Sequence, residues 1–192
     1  MAERDRERWN EKYTQNPEAL EREHPSPTLE RWWHLAGGPT AVDLACGGGR
    51  NALYLARQGL RVDAFDISDT AIKRLQARIG DLPLRAERVD LTAWRPPAGR
   101  YDLAVMTNFL DRALLLRTAR ALRRGGLIVV ETYMAHPENE KRGNPDYLLA
   151  PGELVGFFGP GFDRLHYEEF WCDNERFGMY KQAVVVRKRS RD

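Results

Sequence analysis

Ala41-Val42-Asp43-Leu44-Ala45-Cys46-Gly47-Gly48-Gly49-Arg50-Asn51 passes from an apolar run through three glycines into a helical pattern. Ala41 to Ala45 reads as a short buried strand, and Asn51 to Arg57 continues as a helix. Between them, Gly47 to Gly49 let the backbone turn tightly and approach a ligand without Cβ interference. A helix that starts at such a corner aims its free N–H groups at whatever sits there.

Downstream, strands and helices alternate. Leu60 to Phe65 is a second strand ending at Asp66, which lies 19 positions beyond Gly47. That is close to the roughly 20-residue offset at which an acidic residue meets ribose hydroxyls in nucleotide-binding βαβ units. Ser68 suits an N-cap, and Ile72, Leu75 and Ile79 share a helical face. Leu84 to Val89 makes a third strand before Asp90-Leu91, and Tyr101 to Thr107 a fourth before Asn108. Phe109 to Leu122 has helical spacing, with Gly125-Gly126 as its expected C-cap, and Leu127 to Glu131 is a fifth strand. Thr132 to Ala150, with His136, Pro137, Gly143 and Pro145, is longer than an ordinary connection and of the kind that forms lids. Pro151 is expected to open a helix to Phe158, and Phe162 to Phe170 and Tyr180 to Arg187 form a terminal antiparallel pair.

This order predicts an α/β fold, a doubly wound and mostly parallel seven-stranded sheet ending in the antiparallel pair. Ligands in such sheets bind outside the carboxyl ends of the strands, where the strand order reverses. Gly47 to Gly49, Asp66, Asp90 and Asn108 are expected to meet there.

Upstream, residues 1–40 are charged, Trp-containing and broken by Pro17, Pro25, Pro27 and Pro39. They read as an N-terminal helical cap on a main unit at 41–192, one domain overall, with helices at Arg4 to Tyr13 and Thr28 to Leu35. Trp32 and Trp33 are available to pack on the body, and Trp9 and Tyr13 to fold over a ligand. A chain of 192 residues buries roughly 70% of the surface its unfolded form exposes. Its 30 basic and 28 acidic residues give a net charge of +2 and no global pull toward nucleic acid. The basic end Arg187-Lys188-Arg189-Ser190-Arg191 reads as a solvated strand end. The apolar runs fall far short of the roughly 20 residues of a membrane span, and Met1 to Arg8 is charged rather than signal-like, so a soluble cytoplasmic protein is expected. Cys46 and Cys172 have no CxxC partner, which points to neither a disulfide framework nor a zinc site. Cys46 reads as a small residue fitting a crowded turn.

From Trp9 to Arg187 the chain resembles the class I S-adenosylmethionine-dependent methyltransferases, of Rossmann-like fold. Within them it is similar to the small tellurite-resistance and thiopurine methyltransferase-like group. The resemblance rests on Val42 to Asn51, on Asp66, on Asp90-Leu91, on Leu122 to Leu127 and on the opening Trp9-Asn10-Glu11-Lys12-Tyr13. It implies S-adenosyl-L-methionine as cofactor, with S-adenosyl-L-homocysteine as product. Ala45 and Gly47, in the turn that runs through Gly49, would line the methionine end, and Asp43 would support the ammonium. Asp66 would accept both ribose hydroxyls, and Asp90 the adenine amino group. Ile67 and Leu91 would sandwich the adenine, Asn108 would face the methionine part, Arg50 and Asn51 would reach the cofactor, and Tyr13 would cover the site. The chain departs from the commonest pattern in having Ala45-Cys46 where Gly-Cys or Gly-Thr is typical. It also lacks the Asp/Asn-Pro-Pro-aromatic motif of nucleic-acid amino-methylating enzymes after its fourth strand.

Methyl transfer from a sulfonium needs chiefly geometry, since proximity alone can supply effective molarities on the order of 10⁵ M or more. A base matters only for an acceptor that must lose a proton, and His136 and Tyr133 are the candidates. No metal site is expected, and the expected partner is a small-molecule acceptor, not a membrane or nucleic acid; neither the acceptor nor the oligomeric state is legible. Two alternatives remain open. Gly47-x-Gly49-x-x-Ala52 formally fits a nicotinamide-dependent oxidoreductase, and a catalytically inert S-adenosylmethionine-binding interaction protein would carry the same motifs.

Overall fold

The computed structural model describes residues 2–140, 144–173 and 178–190. In chain order, α1 (Ala2–Gln15) and α2 (Pro27–Trp32) precede β1 (Thr40–Leu44), α3 (Arg50–Arg57), β2 (Arg61–Asp66), α4 (Asp69–Ile79) and β3 (Leu84–Arg88). Next come β4 (Tyr101–Thr107), α5 (Arg112–Ala121), β5 (Leu122–Tyr133), the short α6 (Pro137–Glu140) and α7 (Glu153–Phe157). The last elements are β6 (Phe162–Cys172) and β7 (Met179–Lys188). The seven strands form one sheet in the order β3-β2-β1-β4-β5-β7-β6. β1 to β5 pair in parallel, while β7 runs antiparallel to both β5 and β6. This is the expected Rossmann-like doubly wound sheet with its antiparallel C-terminal pair, and the order reverses between β1 and β4.

Alternation along the strands builds a core on each face. Ala41, Leu103, Val105, Leu127, Val129 and Val185 face α2, α3 and α4, meeting Leu29, Leu53, Leu55, Ile72 and Leu75. Val42, Leu44, Ala104, Met106, Ile128, Val130, Val184 and Val186 face the other way, toward Leu114 and Leu115 of α5 and Leu154 of α7. β4 is buried at every position, and this is why it lacks polar alternation in sequence.

The N-terminal segment is bolted to this body at two levels. Asn10 of α1 accepts from the Ser68 hydroxyl (2.7 Å) and the Thr70 N–H (3.2 Å), and Arg6 pairs with Asp69 (2.5 Å). Deeper in, Leu20 is buried at the end of a 3-10 turn (Pro17–Leu20), and its carbonyl accepts from Arg78 of α4 (3.0 Å). No helix among the described residues is long and apolar enough to cross a membrane.

Two local expectations are corrected. Gly125-Gly126 do not cap the fourth-strand helix, because α5 ends at Ala121 and Leu122 already pairs with Tyr101 in β5. The register then jumps to Leu103 opposite Leu127, so the glycines sit in a bulge: Gly125 has φ +79°, and a Cβ on Gly126 would lie 3.1 Å from the Asp102 carbonyl. Pro151 does not open α7. Gly152 at φ +72° precedes it, and Glu153 folds back to accept from the Ala150 N–H (2.8 Å) while its own N–H donates to the Ala150 carbonyl (3.0 Å). The described parts of the long connection, 132–140 and 144–150, are tied to the sheet. Asn139 donates to the Met134 and Tyr180 carbonyls, each at 2.7 Å, Leu149 is fully buried, and its N–H donates to the Tyr133 carbonyl (3.0 Å). Gly143, like Met1 and Arg191, lies outside the described residues.

Candidate functional site

The carboxyl ends of β1, β2 and β4 converge beside the glycine turn, and two of them end in strained backbone. Ala45 after β1 has φ +56° and Asn108 after β4 has φ +57°, a left-handed conformation that costs a residue with a Cβ about 1–3 kcal/mol. At Ala45 a glycine would adopt this conformation without the cost. Gly47 (φ +52°) and Gly49 (φ +79°) share this conformation at no such cost.

Asp66 ties the turn to β2. Only 6% exposed, its carboxylate accepts from the Gly47 N–H (2.8 Å) and the Ser68 N–H (2.9 Å). Burial pushes its pKa above the ordinary carboxylate value, and the Ser68, Gly47 and Ile67 N–H groups oppose that rise. Ser68 caps α4 by accepting from the Ala71 N–H (3.1 Å), so β2, the glycine turn and α4 are locked around one carboxylate.

Asp43, 1% exposed, accepts from the Ala52 N–H (3.1 Å) near the start of α3. Burial raises its pKa from 3.8 to about 7, against the lowering effects of the Ala52 N–H and the Arg50 guanidinium. A carboxyl group whose folded pKa is raised favours the protonated native chain. Its stabilising contribution is full below about 3.8 and is lost as pH rises through about 7. Asp43→Asn is therefore expected to flatten the fall in thermal midpoint between pH 5 and pH 7.5; an unchanged slope would assign that fall to other groups, Asp66 among them.

The remaining expected residues divide. Tyr13, half-buried on α1, hangs over the turn: a Cβ on Gly47 would lie 3.3 Å from its hydroxyl oxygen. Its pKa is raised well above the tyrosine value by burial, then by Asp66, Cys46 and Tyr133, which keeps it a hydroxyl donor. Burial likewise pushes the Cys46 thiol up, as suits a turn-filling residue rather than a nucleophile. Leu91 is buried in the same cluster as Phe65, with Ala45 packed against it, and Ile67 is half-buried. Asp90 caps its own turn, accepting from the Thr92 N–H (2.9 Å) and hydroxyl (2.7 Å).

Asn51 joins elements on either side of the turn. It accepts from the Ser26 N–H (2.9 Å) and donates to the Thr107 hydroxyl (2.9 Å) while 2% exposed, joining the N-terminal segment to the end of β4. The His136 ring packs against Tyr180, tilted by 31° at 3.8 Å between ring centroids, and its Nδ1 accepts from the Glu138 N–H (3.2 Å). Among the described residues it makes no hydrogen bond, ion pair or ring contact with Tyr133, Asn108 or Lys181.

Sequence reasoning missed a buried polar group next to Asn108. Lys181 of β7, 1% exposed, donates to Asn108 Oδ1 (2.7 Å) and to Glu131 Oε1 (3.3 Å), and its Nζ lies 5.2 Å from the centre of the Tyr133 ring. Glu131, fully buried, accepts in turn from the Thr28 hydroxyl of α2 (2.8 Å). The signal was present as single charges inside the apolar runs of β5 and β7, where a charge without a partner would be prohibitively costly.

The donor set fits an adenosyl cofactor carrying an amino acid. It offers a buried carboxylate at the β2 end, a second beside the α3 start, and a glycine turn whose missing Cβ lets the Tyr13 hydroxyl approach closely. Residues 41–126 match the family model described as a methyltransferase domain. The chain is 32% identical over 109 residues to a ribosomal RNA small subunit methyltransferase C of Alcanivorax borkumensis, covering 50% of this chain and 33% of that protein. It is 28% identical over 177 residues to an S-adenosyl-L-methionine-dependent Diels-Alderase of Talaromyces variabilis, covering 85% of this chain and 59% of that one. The chain thus spans about a third to three-fifths of the length of these two curated relatives. In fold it is similar to the solved structure of TehB from Haemophilus influenzae, with a TM-score of 0.72 at 20% identity over 84% of this chain and 61% of that one.

Proposed function

We propose that this chain is an S-adenosylmethionine-dependent methyltransferase that acts on a small-molecule acceptor by in-line transfer and leaves S-adenosylhomocysteine. The observation that carries this reading is the Asp66 carboxylate locked to the Gly47 N–H at the end of β2, within the segment that matches a methyltransferase domain. The bound cofactor supplies a methyl group already activated by positive sulfur.

The chain's own residues bind and orient. Asp66 accepts from the ribose hydroxyls and Asp90 from the adenine amino group, between Ile67 and Leu91. Asp43 and Arg50 answer the ammonium and carboxylate of the methionine part, lined by Ala45, Gly47, Gly49 and Asn108. Tyr13 covers the turn and keeps water out. Asn51 acts one step removed, by holding residue 26 and Thr107 in place. Tyr133, whose ring lies 5.2 Å from the Lys181 ammonium that holds Asn108, is the better candidate for a proton acceptor where the acceptor needs one, since His136 packs on Tyr180.

Calorimetric titration with S-adenosylmethionine, S-adenosylhomocysteine and NADH tests the reading. Micromolar binding of the first two, about −8 kcal/mol, is expected, and binding of NADH alone would overturn it. At pH 6.5 the titration carries a further expectation. Asp43, with its pKa raised to about 7, must ionise to meet an ammonium, so binding should release a proton and its heat should vary with the buffer's ionisation enthalpy. Asp43→Asn should abolish that dependence, and its persistence would remove Asp43 from the ammonium.

A second reading is favoured by the Talaromyces relative, whose name describes a cycloaddition that depends on the cofactor. Incubation with thiol, amine, hydroxyl and oxyanion acceptors separates the two readings. Formation of S-adenosylhomocysteine supports methylation, whereas tight binding with no turnover across all four classes supports the second.

A further inference from the structure

We infer that Lys181 is a positioning residue of this site: its buried ammonium holds Asn108 against the crevice between β1 and β4. This rests on the proposed reading of Asn108 as a residue that faces the methionine part of the cofactor.

The argument starts from topology. β4 and β1 are neighbours with Leu44 opposite Met106, so Ala45 and Asn108 leave adjacent strands at the point where the strand order reverses. A ligand in a doubly wound sheet sits at that point. Asn108 sits there in a left-handed conformation, which asparagine tolerates better than most residues with a Cβ, and two hydrogen bonds fix it in place. Its N–H donates to the Glu131 carbonyl (2.8 Å), and its side-chain oxygen accepts from Lys181 (2.7 Å).

Lys181 comes from β7, two strands away across β5, so its side chain spans the end of β5 above the Tyr133 ring. The same ammonium pairs with Glu131, whose other oxygen accepts from Thr28. Thr107, the residue before Asn108, is held by Asn51, which also holds the Ser26 N–H. Two buried links therefore run from residues 26–28 of the N-terminal segment to the last two positions before the crevice.

A buried ion pair is a poor device for stability, because desolvation offsets most of its attraction and an apolar pair of similar volume often does as well. What it supplies is direction. The Lys181 donor fixes the Asn108 amide with its oxygen toward β7 and therefore its NH2 group away from it. Tyr133, opposite Lys181 in the ladder, is oriented by the same cation over its ring.

Lys181→Met with Glu131→Gln removes both charges together and avoids stranding a buried carboxylate. Asn108→Gly removes the side chain while suiting the left-handed backbone. S-adenosylmethionine affinity is measured calorimetrically for the wild type, the double variant, Asn108→Gly and the triple combination. The double variant is expected to bind about tenfold more weakly, and the triple no more weakly than Asn108→Gly alone, because Lys181 acts through Asn108. Independent, multiplying losses or an unchanged affinity in the double variant would overturn the inference. Should the double variant not fold, Lys181→Gln with Glu131→Gln, which keeps a donor and again strands no buried carboxylate, takes its place in the same cycle and is expected to keep most of the affinity. A tenfold loss there with Asn108 present, repeated in full with Asn108→Gly, would overturn it equally. Failure of the wild type itself to bind would instead remove the proposed function on which the inference stands.

Discussion

Gly48→Ala is expected to destabilise the chain by about 3 kcal/mol or more, at the upper end of overpacking costs. A Cβ at this position would fall inside van der Waals distance of the Leu20 carbonyl oxygen and 2.7 Å from its carbonyl carbon, and both are backbone atoms that no rotamer change can move. That carbonyl is also fixed from the other side, since Arg78 donates to it (3.0 Å) and to the Gly48 carbonyl (3.2 Å) with one nitrogen. The chain must either lift the 3-10 turn at Pro17–Leu20, exposing buried Leu20, or distort the glycine turn. For a chain of this size the loss corresponds to roughly 6–12 °C in thermal midpoint. Gly156→Ala is the control: it lies inside α7 with no atom within 4 Å of the added Cβ, and alanine there should be neutral or slightly stabilising. Equal midpoints for the two variants would show that the N-terminal segment does not press on the turn as described.

Asp66→Ala is expected to weaken S-adenosylmethionine binding by about 1.5–3 kcal/mol, roughly ten- to 150-fold, the scale of hydrogen bonds to a charged group. From the sequence alone this substitution should leave the fold untouched, but the structure changes that expectation. Asp66 accepts from the Gly47 and Ser68 N–H groups, so alanine also strands one buried and one part-buried donor and lowers the stability of the free chain. Asp66→Asn, similar in size but with one acceptor oxygen where there were two, separates the effects when binding is measured well below each variant's thermal midpoint. Wild-type affinity combined with a lowered midpoint would reduce Asp66 to a brace for the turn and withdraw it from the ribose.

The sheet was legible because its signals are local and repeated. Of the first four strands, β1 and β4 are short, mostly apolar runs, and β2 and β3 interleave apolar with charged residues. Each closes on, or is followed closely by, a residue that marks its end, Ala45, Asp66, Asp90 or Asn108, and each helix face recurs every three or four residues. Boundaries failed where backbone geometry was set from another strand. Gly125-Gly126 have the composition of a helix cap, yet Tyr101 and Leu103 of β4 draw them into a bulge. Pro151 is well suited to begin a helix, yet Glu153, held by Arg112 (2.8 Å), closes a turn just after it.

The sequence by itself determined the doubly wound sheet, the glycine turn after β1 and the acidic residue after β2, since these depend on periodicity and fixed spacing along the chain. Only the tertiary structure decided what Asn51, Glu131 and Lys181 do. Asn51 reads as a ligand contact beside the glycines but is consumed by Ser26 and Thr107, which lie 25 and 56 positions away. Lys181 reads as one charge in an apolar strand until folding sets it against Asn108 and Glu131, 73 and 50 positions earlier. The physical reason is burial: a charge or amide in the interior must find its partners across the fold, and nothing in its immediate sequence says which.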